Sequence, residues 1–421
     1  MTSTLRIVVT GLLAQYPLGG VAWDYLQYVL GLARLGHDVY YVEDSGQWPY
    51  NPCEGGLAVD YQWNITYLAN LMNRFNLGHK WAYRLPWERT WFGLSQRQWQ
   101  EVVQSADLLI NVSGTVDQVD DYAAIGHRVY IDSDPMFTQI HLVQGSPHFV
   151  AQVHAHNVHF TFGETLSPLA PETGLDWRPT RQPIVLSEWR SKTSPRDVLT
   201  TVMNWTSYED LVYNGRRYGQ KDVEFMNFLT LPDLVFPTEL EIAVNLGKTR
   251  RTPHALLKQH GWRLVDPDQV CPDMESYRHY IQHSKAEWSV AKQAYVAGKT
   301  GWFSCRSACY LAAGRPAVVQ DTGFSSIIPV GEGLLAFTTL AEAAAAIDDL
   351  KTRYGRHAQA AYDLAAAYFN SDGVLTQLLE ESFCHDATLA HSRAGLRDSR
   401  PARRPNLEQV TLPDGSHTPG P

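Results

Sequence analysis

Short apolar runs alternate with amphipathic stretches along most of the chain. Residues 5–10 form an apolar run of strand length, and after a loop at 11–20 the apolar positions between Val21 and Leu35 recur at helical spacing. Gly36 is placed to end that helix, and residues 39–42 form a second apolar run. This order predicts a parallel βαβ unit with a ligand crevice at the carboxyl ends of its strands.

The same alternation continues in two blocks. Strand-like runs at 107–112, 128–131 and 158–162 extend the first block, and the proline-rich passage 167–183 is typical of a linker. From about residue 198 five further apolar runs follow, separated by helical stretches: VLTTVMNW, LEIAVNLG, WRLVD, AEWSVAK and RPAVVQD. We therefore predict an α/β fold of two Rossmann-like, doubly wound domains, spanning 1–183 and 184–357, with closing helices at 358–383. Residues 384–421 lack apolar periodicity, which predicts a disordered tail.

Composition narrows the kinds of partner. The 421 residues exceed what one hydrophobic core usually accommodates, which agrees with two domains. The formal net charge is −9 and no dense run of lysine and arginine occurs, so we expect no nucleic-acid partner and no membrane insertion. A small molecule or another protein is the expected partner. The N-terminus resembles no targeting segment, and the five cysteines form no CxxC pair, so we expect a cytoplasmic protein.

The segment SCRSACYLAAGRPAVVQDTGF, residues 304–324, predicts an anion site. Ser304 and Ser307 suit a helix start, Arg306 adds a positive charge there, and Gly314 is placed to end the helix after about two turns. A helix start presents unpaired backbone N–H groups and the positive end of the helix dipole. Phosphate groups bind at such sites.

The wider pattern F-x₇-L-A-x-G-R-P-x-V-x₄-G, residues 303–323, resembles the donor-binding motif of GT-B glycosyltransferases. That family has two Rossmann-like domains facing across a cleft, and its C-terminal domain binds a nucleotide-sugar. The resemblance implies that the diphosphate contacts Ser304, Arg306 and Ser307. It also implies that the loop after the next strand faces the sugar, through Asp321, Thr322 and Gly323. Runs such as YIDSDP and YGQKDVEF look like those of a bacterial glycosyltransferase-like subfamily whose acceptor cannot be inferred.

A second segment, NGRRYGQKDVEF at 214–225, is similar to the G-R-x₄-K segment of retaining members of that family. The similarity implies that Arg216 and Lys221 also bind the diphosphate. The chain departs from the family where retaining members carry two glutamates eight positions apart, since Gly301 and Cys309 stand there instead. A cysteine does not accept ribose hydroxyl bonds as a carboxylate does. The ribose is therefore held elsewhere, the donor is unusual, or donor binding is lost.

Two carboxylates are candidates for catalysis. Asp24 follows the first loop, where inverting GT-B enzymes carry a general base, although an acid at this position also suits the first turn of a helix. Asp134, in the run YIDSDPMF, follows a predicted strand and is spaced by two from Asp132, yet aspartate before proline is also an ordinary turn former. We predict Asp24 and Asp134 as catalytic residues.

No bound metal or cofactor is predicted. Alternation in a strand would place His154 and His156 on one face, but no cysteine or carboxylate nearby completes a metal site. Glu43 follows the second strand, where NAD enzymes bind ribose, but the loop 11–20 lacks G-x-G-x-x-G. The nucleotide-sugar is then a substrate and no separate cofactor is expected.

Together these patterns predict a hexosyltransferase that moves a sugar from a UDP- or TDP-linked donor to a small-molecule acceptor. Two alternatives stay open, namely a nucleotide-sugar epimerase of the same architecture and a nucleotide-sugar or glycan binding protein without catalysis. Whether the anomeric centre is retained or inverted does not follow from the sequence. The arginine and lysine at 216 and 221 favour retention, whereas the missing glutamates oppose it.

Overall fold

An eight-stranded sheet organises the N-terminal half of the protein. The computed structural model describes residues 4–52, 54–57, 60–86, 88, 90–166, 168–245, 247 and 250–397, the last thirteen as backbone only. The central strand Arg6–Thr10 pairs in parallel with Asp38–Glu43 and with Leu108–Val112. From edge to edge the strands are Trp177–Pro179, Val158–Thr161, His127–Asp132, Leu108–Val112, Arg6–Thr10, Asp38–Glu43, Trp81–Arg84 and the antiparallel Trp91–Gly93.

A second, fully parallel sheet of six strands organises the C-terminal half. Its order is Arg263–Val265, Glu239–Val244, Val198–Met203, Ala286–Ser289, Ala317–Gln320 and Leu334–Phe337. Aromatic rings fill one side of this sheet, with Trp288 4.9 Å from Trp262 and 5.6 Å from Phe225 between ring centroids. The two sheets confirm the predicted α/β class with two Rossmann-like halves.

Continuous apolar runs became strands because helices cover both faces of each sheet. Leu108–Val112 is buried at all five positions, and Ala317–Gln320 at all four. Parallel strands buried on both faces have this sequence signature. The long covering helices are Gly19–Arg34, Gln62–Arg74, Gln96–Ser105, Met274–Gln282, Leu340–Thr352 and Tyr354–Tyr368. Shorter helices are Phe137–Gln144, Pro147–His154, Leu186–Trp189, Lys221–Phe225, Leu231–Val235, His254–Gln259, Pro267–Val270, Gln293–Gly298 and Cys305–Ala312, with 3₁₀ turns at Val119–Tyr122, Met226–Phe228 and Phe324–Ser326.

Two expectations of local structure were wrong. The first helix begins at Gly19, inside the predicted loop. Only a residue without a side chain fits at this position, since an added Cβ would lie 2.4 Å from Tyr277 Cβ. His154 ends the helix Pro147–His154 and does not alternate with His156 in a strand. Only His159 of the three histidines lies in a strand.

Two small hairpins interrupt the α/β order. One joins Tyr50–Asn51 to Gly56–Leu57. The other, which we call the 211–218 hairpin, pairs Leu211–Tyr213 with Arg216–Tyr218. Its turn residues Asn214 and Gly215 both have positive φ, 49° and 72°, as the favoured two-residue turn requires. This hairpin lies between the strand Val198–Met203 and the helix that begins at Lys221.

The C-terminal helix Ser371–Arg397 starts against the N-terminal half. The Ser371 backbone N–H donates to Ile184 O at 2.9 Å, and a Cβ added at Gly31 would lie 2.4 Å from Leu375. Both sheets belong to one compact unit, Met1–Ser382, so the predicted boundaries at 183 and 357 stay predictions. The helix runs through the first fourteen residues of the predicted tail, while 398–421 lie outside the described residues.

Candidate active site

The cleft between the two sheets is narrow where the first helix meets the C-terminal half. The Trp23 indole N–H donates to Met274 O at 2.8 Å, and a Cβ added at Gly19 would lie 2.5 Å from Asp273 O. Helix Gly19–Arg34 therefore begins against helix Met274–Gln282. Farther along it, Gln27 Nε2 lies 3.8 Å from Cys305 Sγ, at the start of helix Cys305–Ala312. We call the latter the Cys305 helix.

The start of the Cys305 helix carries hydroxyl groups without partners. Ser304 is the N-cap residue, but its side chain makes no capping hydrogen bond. Among the described residues, neither its hydroxyl nor that of the buried Ser307 has a hydrogen-bond partner. A narrow crevice opens here, lined by Ser289, Val290, Ala291, Trp302, Phe303, Ser304, Arg306, Ser307, Val319, Gln320, Thr322 and Phe324. The predicted phosphate residues 304, 306 and 307 thus line one crevice.

Arg306 is held in a fixed orientation. Its Nε donates to Glu287 Oε1 at 2.6 Å, and its Nη1 donates to Val202 O at 2.8 Å. The Glu287 side chain is completely buried and that of Arg306 is 11% exposed. The second carboxylate oxygen, Glu287 Oε2, has no hydrogen-bond partner. A buried ion pair of this kind holds the guanidinium in place before a ligand binds, so the arginine side chain loses little further mobility on binding.

Lys221, the first residue of helix Lys221–Phe225, is the least compensated cation of the cleft. Within the described part of the chain, no hydrogen bond or ion pair satisfies its ammonium. Burial, and then the positive charges of Arg306 and Lys292, hold the pKa of Lys221 well below its ordinary value, and only Glu287 opposes them. A half-buried cation without a counter-ion indicates a site for an anion.

Asp24 faces these cations from the other side of the cleft. Its side chain is exposed within the cleft, yet desolvation by the surrounding residues of the cleft raises the pKa of its carboxyl group to about 6. A hydrogen bond from the Cys305 thiol and the charge of Arg306 lower the pKa again in part. The structure thus brings Asp24, Arg306 and Lys221, three residues predicted separately, into one place.

The remaining predicted cation lies apart from this group. Arg216 is exposed in the 211–218 hairpin, and no described interaction connects it with Lys221 or Arg306. The segment matched to G-R-x₄-K is divided in the structure, with Arg216 in a hairpin strand and Lys221 at the start of a helix. Its role in diphosphate binding stays a prediction.

The three residues predicted to face the sugar hold their own loop. The Asp321 carboxylate accepts hydrogen bonds from Gly323 N at 2.9 Å and from Ser325 Oγ at 2.6 Å. The Thr322 hydroxyl donates to Trp302 O at 2.6 Å. Gly323 adopts φ +101°, and an added Cβ would lie 3.2 Å from Lys299 O. The loop is therefore rigid beside the crevice, and sugar contact by these residues stays a prediction.

Asp134 makes contacts that the sequence did not indicate. Its carboxylate accepts from Lys292 Nζ at 3.0 Å and 3.2 Å, and from the hydroxyls of Tyr208 and Tyr295. All three partners lie in the C-terminal half. Asp132 has a separate task, since it is fully buried and fixes the loop after its strand through Thr138, Gln139 and Thr161. The catalytic role predicted for Asp134 stays a prediction.

The structure explains one of the two missing glutamates. Gly301 has φ +75°, and an added Cβ would lie 2.6 Å from Thr165 Oγ1 and 2.9 Å from Thr165 N. A glutamate has no room there. Cys309 is buried, with its Sγ 3.9 Å from the Nε2 of Gln27 in the first helix. Neither position presents a ribose-binding group.

The other candidates have structural roles. Glu43 accepts from the N–H groups of Ala14 at 2.5 Å and Gln15 at 2.8 Å, so it holds the first loop. His156 is buried and hydrogen-bonded to Asn111 at 3.1 Å. No group of histidine, cysteine or carboxylate side chains suited to a metal ion occurs in the described parts of the chain.

Sequence reasoning missed the 211–218 hairpin and Tyr208 just before it. The dipeptide Asn214-Gly215 between LVY and RRY was an available signal, because Asn-Gly between β-prone runs favours a two-residue hairpin. Tyr208 itself carried no signal, since its importance comes from Asp134 and Lys292, which are distant in sequence.

Comparison with known proteins supports the fold. No protein-family model and no curated protein matches the sequence. Sucrose-phosphate synthase from Thermosynechococcus elongatus matches with a TM-score of 0.53 and 12% identity over 90% of this chain and 100% of that one. HepE from Anabaena, solved with UDP and glucose, matches with a TM-score of 0.51 and 12% identity over 90% and 99%. An α-glucosyltransferase bound to UDP-glucose and DNA matches with 0.52 and 11% over 91% and 100%. The predicted GT-B-like fold is confirmed.

The exclusion of nucleic acid as a partner was wrong. Structures of the same fold include an α-glucosyltransferase in complex with DNA. The inference failed because net charge sums over the whole chain, whereas binding responds to the local field.

Among the described residues, no helix has the length and apolar character needed to cross a bilayer.

Proposed function

We propose that the protein is a glycosyltransferase that moves a sugar from a nucleoside-diphosphate sugar to a hydroxyl group of an acceptor. One observation carries the proposal: Lys221, without a counter-ion in the described chain, stands with Arg306 at the start of the Cys305 helix and opposite Asp24. The likeness of the fold to structures of glycosyltransferases supports the proposal.

On the donor side, the diphosphate fits the uncompensated charge. Its oxygens accept from the ammonium of Lys221, from the free hydroxyls of Ser304 and Ser307, and from the N–H groups of the helix start. When the bond from the sugar C1 to the β-phosphate oxygen breaks, the leaving diphosphate gains negative charge, and these fixed donors stabilise it. The narrower proposal is a UDP- or TDP-linked sugar, and UDP bound in structures of the same fold supports it.

On the acceptor side, Asp24 is proposed as the general base. Its pKa of about 6 leaves it ionised at neutral pH and able to take the proton of an attacking hydroxyl. The acceptor oxygen forms its bond to C1 while the C1–O bond to the diphosphate breaks, and the electron pair leaves with the diphosphate. A single displacement of this kind inverts the anomeric centre, so a product with retained configuration removes Asp24 from this role.

Calorimetry with UDP, TDP and GDP tests the donor side. We expect one nucleoside diphosphate to bind, and Lys221→Met to weaken it about tenfold to a hundredfold, the worth of one charge-assisted hydrogen bond. Lys258→Ala is the control, because Lys258 is exposed and lies outside the cleft. Absence of binding by all three nucleotides in the wild type would contradict the proposal.

Turnover separates transfer from its alternatives. The sugar conjugates of the bound nucleotide are incubated with hydroxyl acceptors, and the acceptor set includes small sugars and DNA, since a DNA-bound enzyme shares the fold. A glycosylated acceptor supports the proposal. Conversion of the donor to another nucleotide-sugar without an acceptor identifies an epimerase, and binding without any reaction identifies a binding protein.

A further inference from the structure

Lys292 is enclosed by groups from both halves of the protein. Its ammonium lies 5.1 Å from the ring centroid of Phe137, 4.4 Å from that of Tyr208 and 5.2 Å from that of Tyr295. It also bonds to both carboxylate oxygens of Asp134 and to the Tyr208 hydroxyl. We call these four surrounding residues the Lys292 cage.

The Lys292 cage joins the two halves at the edge of the cleft. Asp134 and Phe137 come from the N-terminal half, whereas Tyr208 and Tyr295 come from the C-terminal half. The Phe137 ring packs with a centroid distance of 5.0 Å against that of Tyr208, which lies three residues before the 211–218 hairpin. Lys292, Tyr208 and Tyr295 all bond to the Asp134 carboxylate, so removing its charge weakens several contacts of the cage at once.

Lys292 also lies next to the proposed donor site. It directly follows Ala291, which lines the crevice at the start of the Cys305 helix. Its positive charge reaches Lys221, because it contributes to the lowered pKa of that lysine. A flexible four-carbon side chain can exchange one anionic partner for another without movement of the backbone.

We propose that Lys292 is a further cation of the donor site, which Asp134 holds away from the diphosphate until the donor binds. The proposal rests on the proposed function for the identity of the anion. Asp134 is then a positioning residue and a latch between the two halves. A diphosphate entering beside Lys221 competes with Asp134 for the same ammonium, so donor binding weakens the latch and an intact latch weakens donor binding.

Calorimetry with UDP tests this competition, with inorganic pyrophosphate as a second probe. Asp134→Asn keeps the shape and the acceptor for the tyrosine hydroxyls but removes the charge that holds Lys292. We expect this variant to bind both probes about tenfold more tightly than the wild type, and Lys292→Met to bind them about tenfold more weakly. A residue with a merely structural role would lower affinity when replaced. In the double variant the gain should disappear, since it requires Lys292.

Glu275→Gln is the matched control. Glu275 also joins the halves, through an ion pair with Arg74 at 2.9 Å, but it holds no cation of the crevice. We expect its replacement to leave affinity for both probes unchanged. Equal affinity of Asp134→Asn and the wild type, or a gain that persists in the double variant, would overturn the proposal.

Hydrogen exchange on the ligand-free protein makes the latch testable apart from the donor. In Asp134→Asn we expect faster exchange in helix Phe137–Gln144 and in the 211–218 hairpin than in Glu275→Gln. If the wild type binds no nucleotide, the proposed function fails while this measurement still tests the latch. Unchanged exchange in Asp134→Asn would disprove the latch even if nucleotides bind.

Discussion

A substitution at Gly301 tests how closely Thr165 of the N-terminal half approaches the C-terminal half. Thr165 N donates to Thr300 O at 3.1 Å, and Thr165 Oγ1 donates to Lys299 O at 3.1 Å. Gly301 follows Thr300 directly in the chain and has φ +75°. The perturbation is Gly301→Ala, which adds a single methyl group at the junction.

The cost has two parts that a second glycine separates. Gly174 has nearly the same backbone angle, φ +73°, but an added Cβ would meet nothing within 4 Å. Gly174→Ala therefore measures the backbone cost alone, about 1 kcal/mol for a left-handed residue that gains a Cβ. At Gly301 the Cβ would lie 2.6 Å from Thr165 Oγ1 and 2.9 Å from Thr165 N. Backbone atoms do not yield easily, so overpacking adds about 1–3 kcal/mol.

We expect Gly301→Ala to lower the free energy of unfolding by about 2–4 kcal/mol and Gly174→Ala by about 1 kcal/mol. Equilibrium urea denaturation followed by tryptophan fluorescence measures both. Equal losses in the two variants would refute the reasoning, because they would show that Thr165 does not approach Gly301 as the structure describes. A confirmed difference would explain why a glutamate cannot occupy position 301.

Two further predictions concern charge in the cleft. Lys221→Met should raise the free energy of unfolding at neutral pH, because it removes a desolvated cation whose pKa lies below its ordinary value. This difference from the wild type should shrink as the pH rises toward 10.5, since the lysine of the unfolded chain then also loses its proton. Urea titrations that give the same difference at every pH would contradict the prediction. The pKa of Asp24 is about 6 against an ordinary 3.8, so its contribution to stability is present below pH 3.8 and is lost as the pH rises through 6. Asp24→Asn should therefore unfold at a higher urea concentration than the wild type at pH 7 and at the same concentration below pH 4. The kcat/KM of the wild type should fall below about pH 6, and a flat rate profile across pH 6 would count against Asp24 as the base.

The sequence predicted the framework closely because buried parallel strands leave a strong pattern. The predicted run 107–112 became Leu108–Val112, and the predicted run 128–131 became His127–Asp132. Both are bounded by polar residues and buried on both faces, so the apolar run and the strand nearly coincide. The helix start at Ser304 was equally readable, since a serine before a helix and a glycine after it are local signals, although the Ser304 side chain makes no capping hydrogen bond.

The arrangement of the site was less readable because its contacts are distant in sequence. Asp134 was identified as a candidate from its position after a strand, but its partners Tyr208 and Lys292 lie 74 and 158 residues away. No local pattern indicates which cation will meet which carboxylate. The same limit applied to Asp24, because its pKa depends on desolvation within the cleft and on Cys305 and Arg306, which are distant in sequence.

Local pairing of charges explains how an acidic protein can offer a site for an anion. Two of the three clustered cations have their own carboxylate, since Arg306 is paired with Glu287 and Lys292 with Asp134. Lys221 is the cation left over, and its charged form bears a desolvation cost that Glu287 offsets only in part. An entering diphosphate relieves this cost and brings more negative charge than one ammonium neutralises, so a second cation is needed. Arg306 is fixed by the fully buried Glu287, whereas Asp134 is partly exposed and competes less strongly for its partner. Lys292 is therefore the cation that the ligand can recruit at least cost.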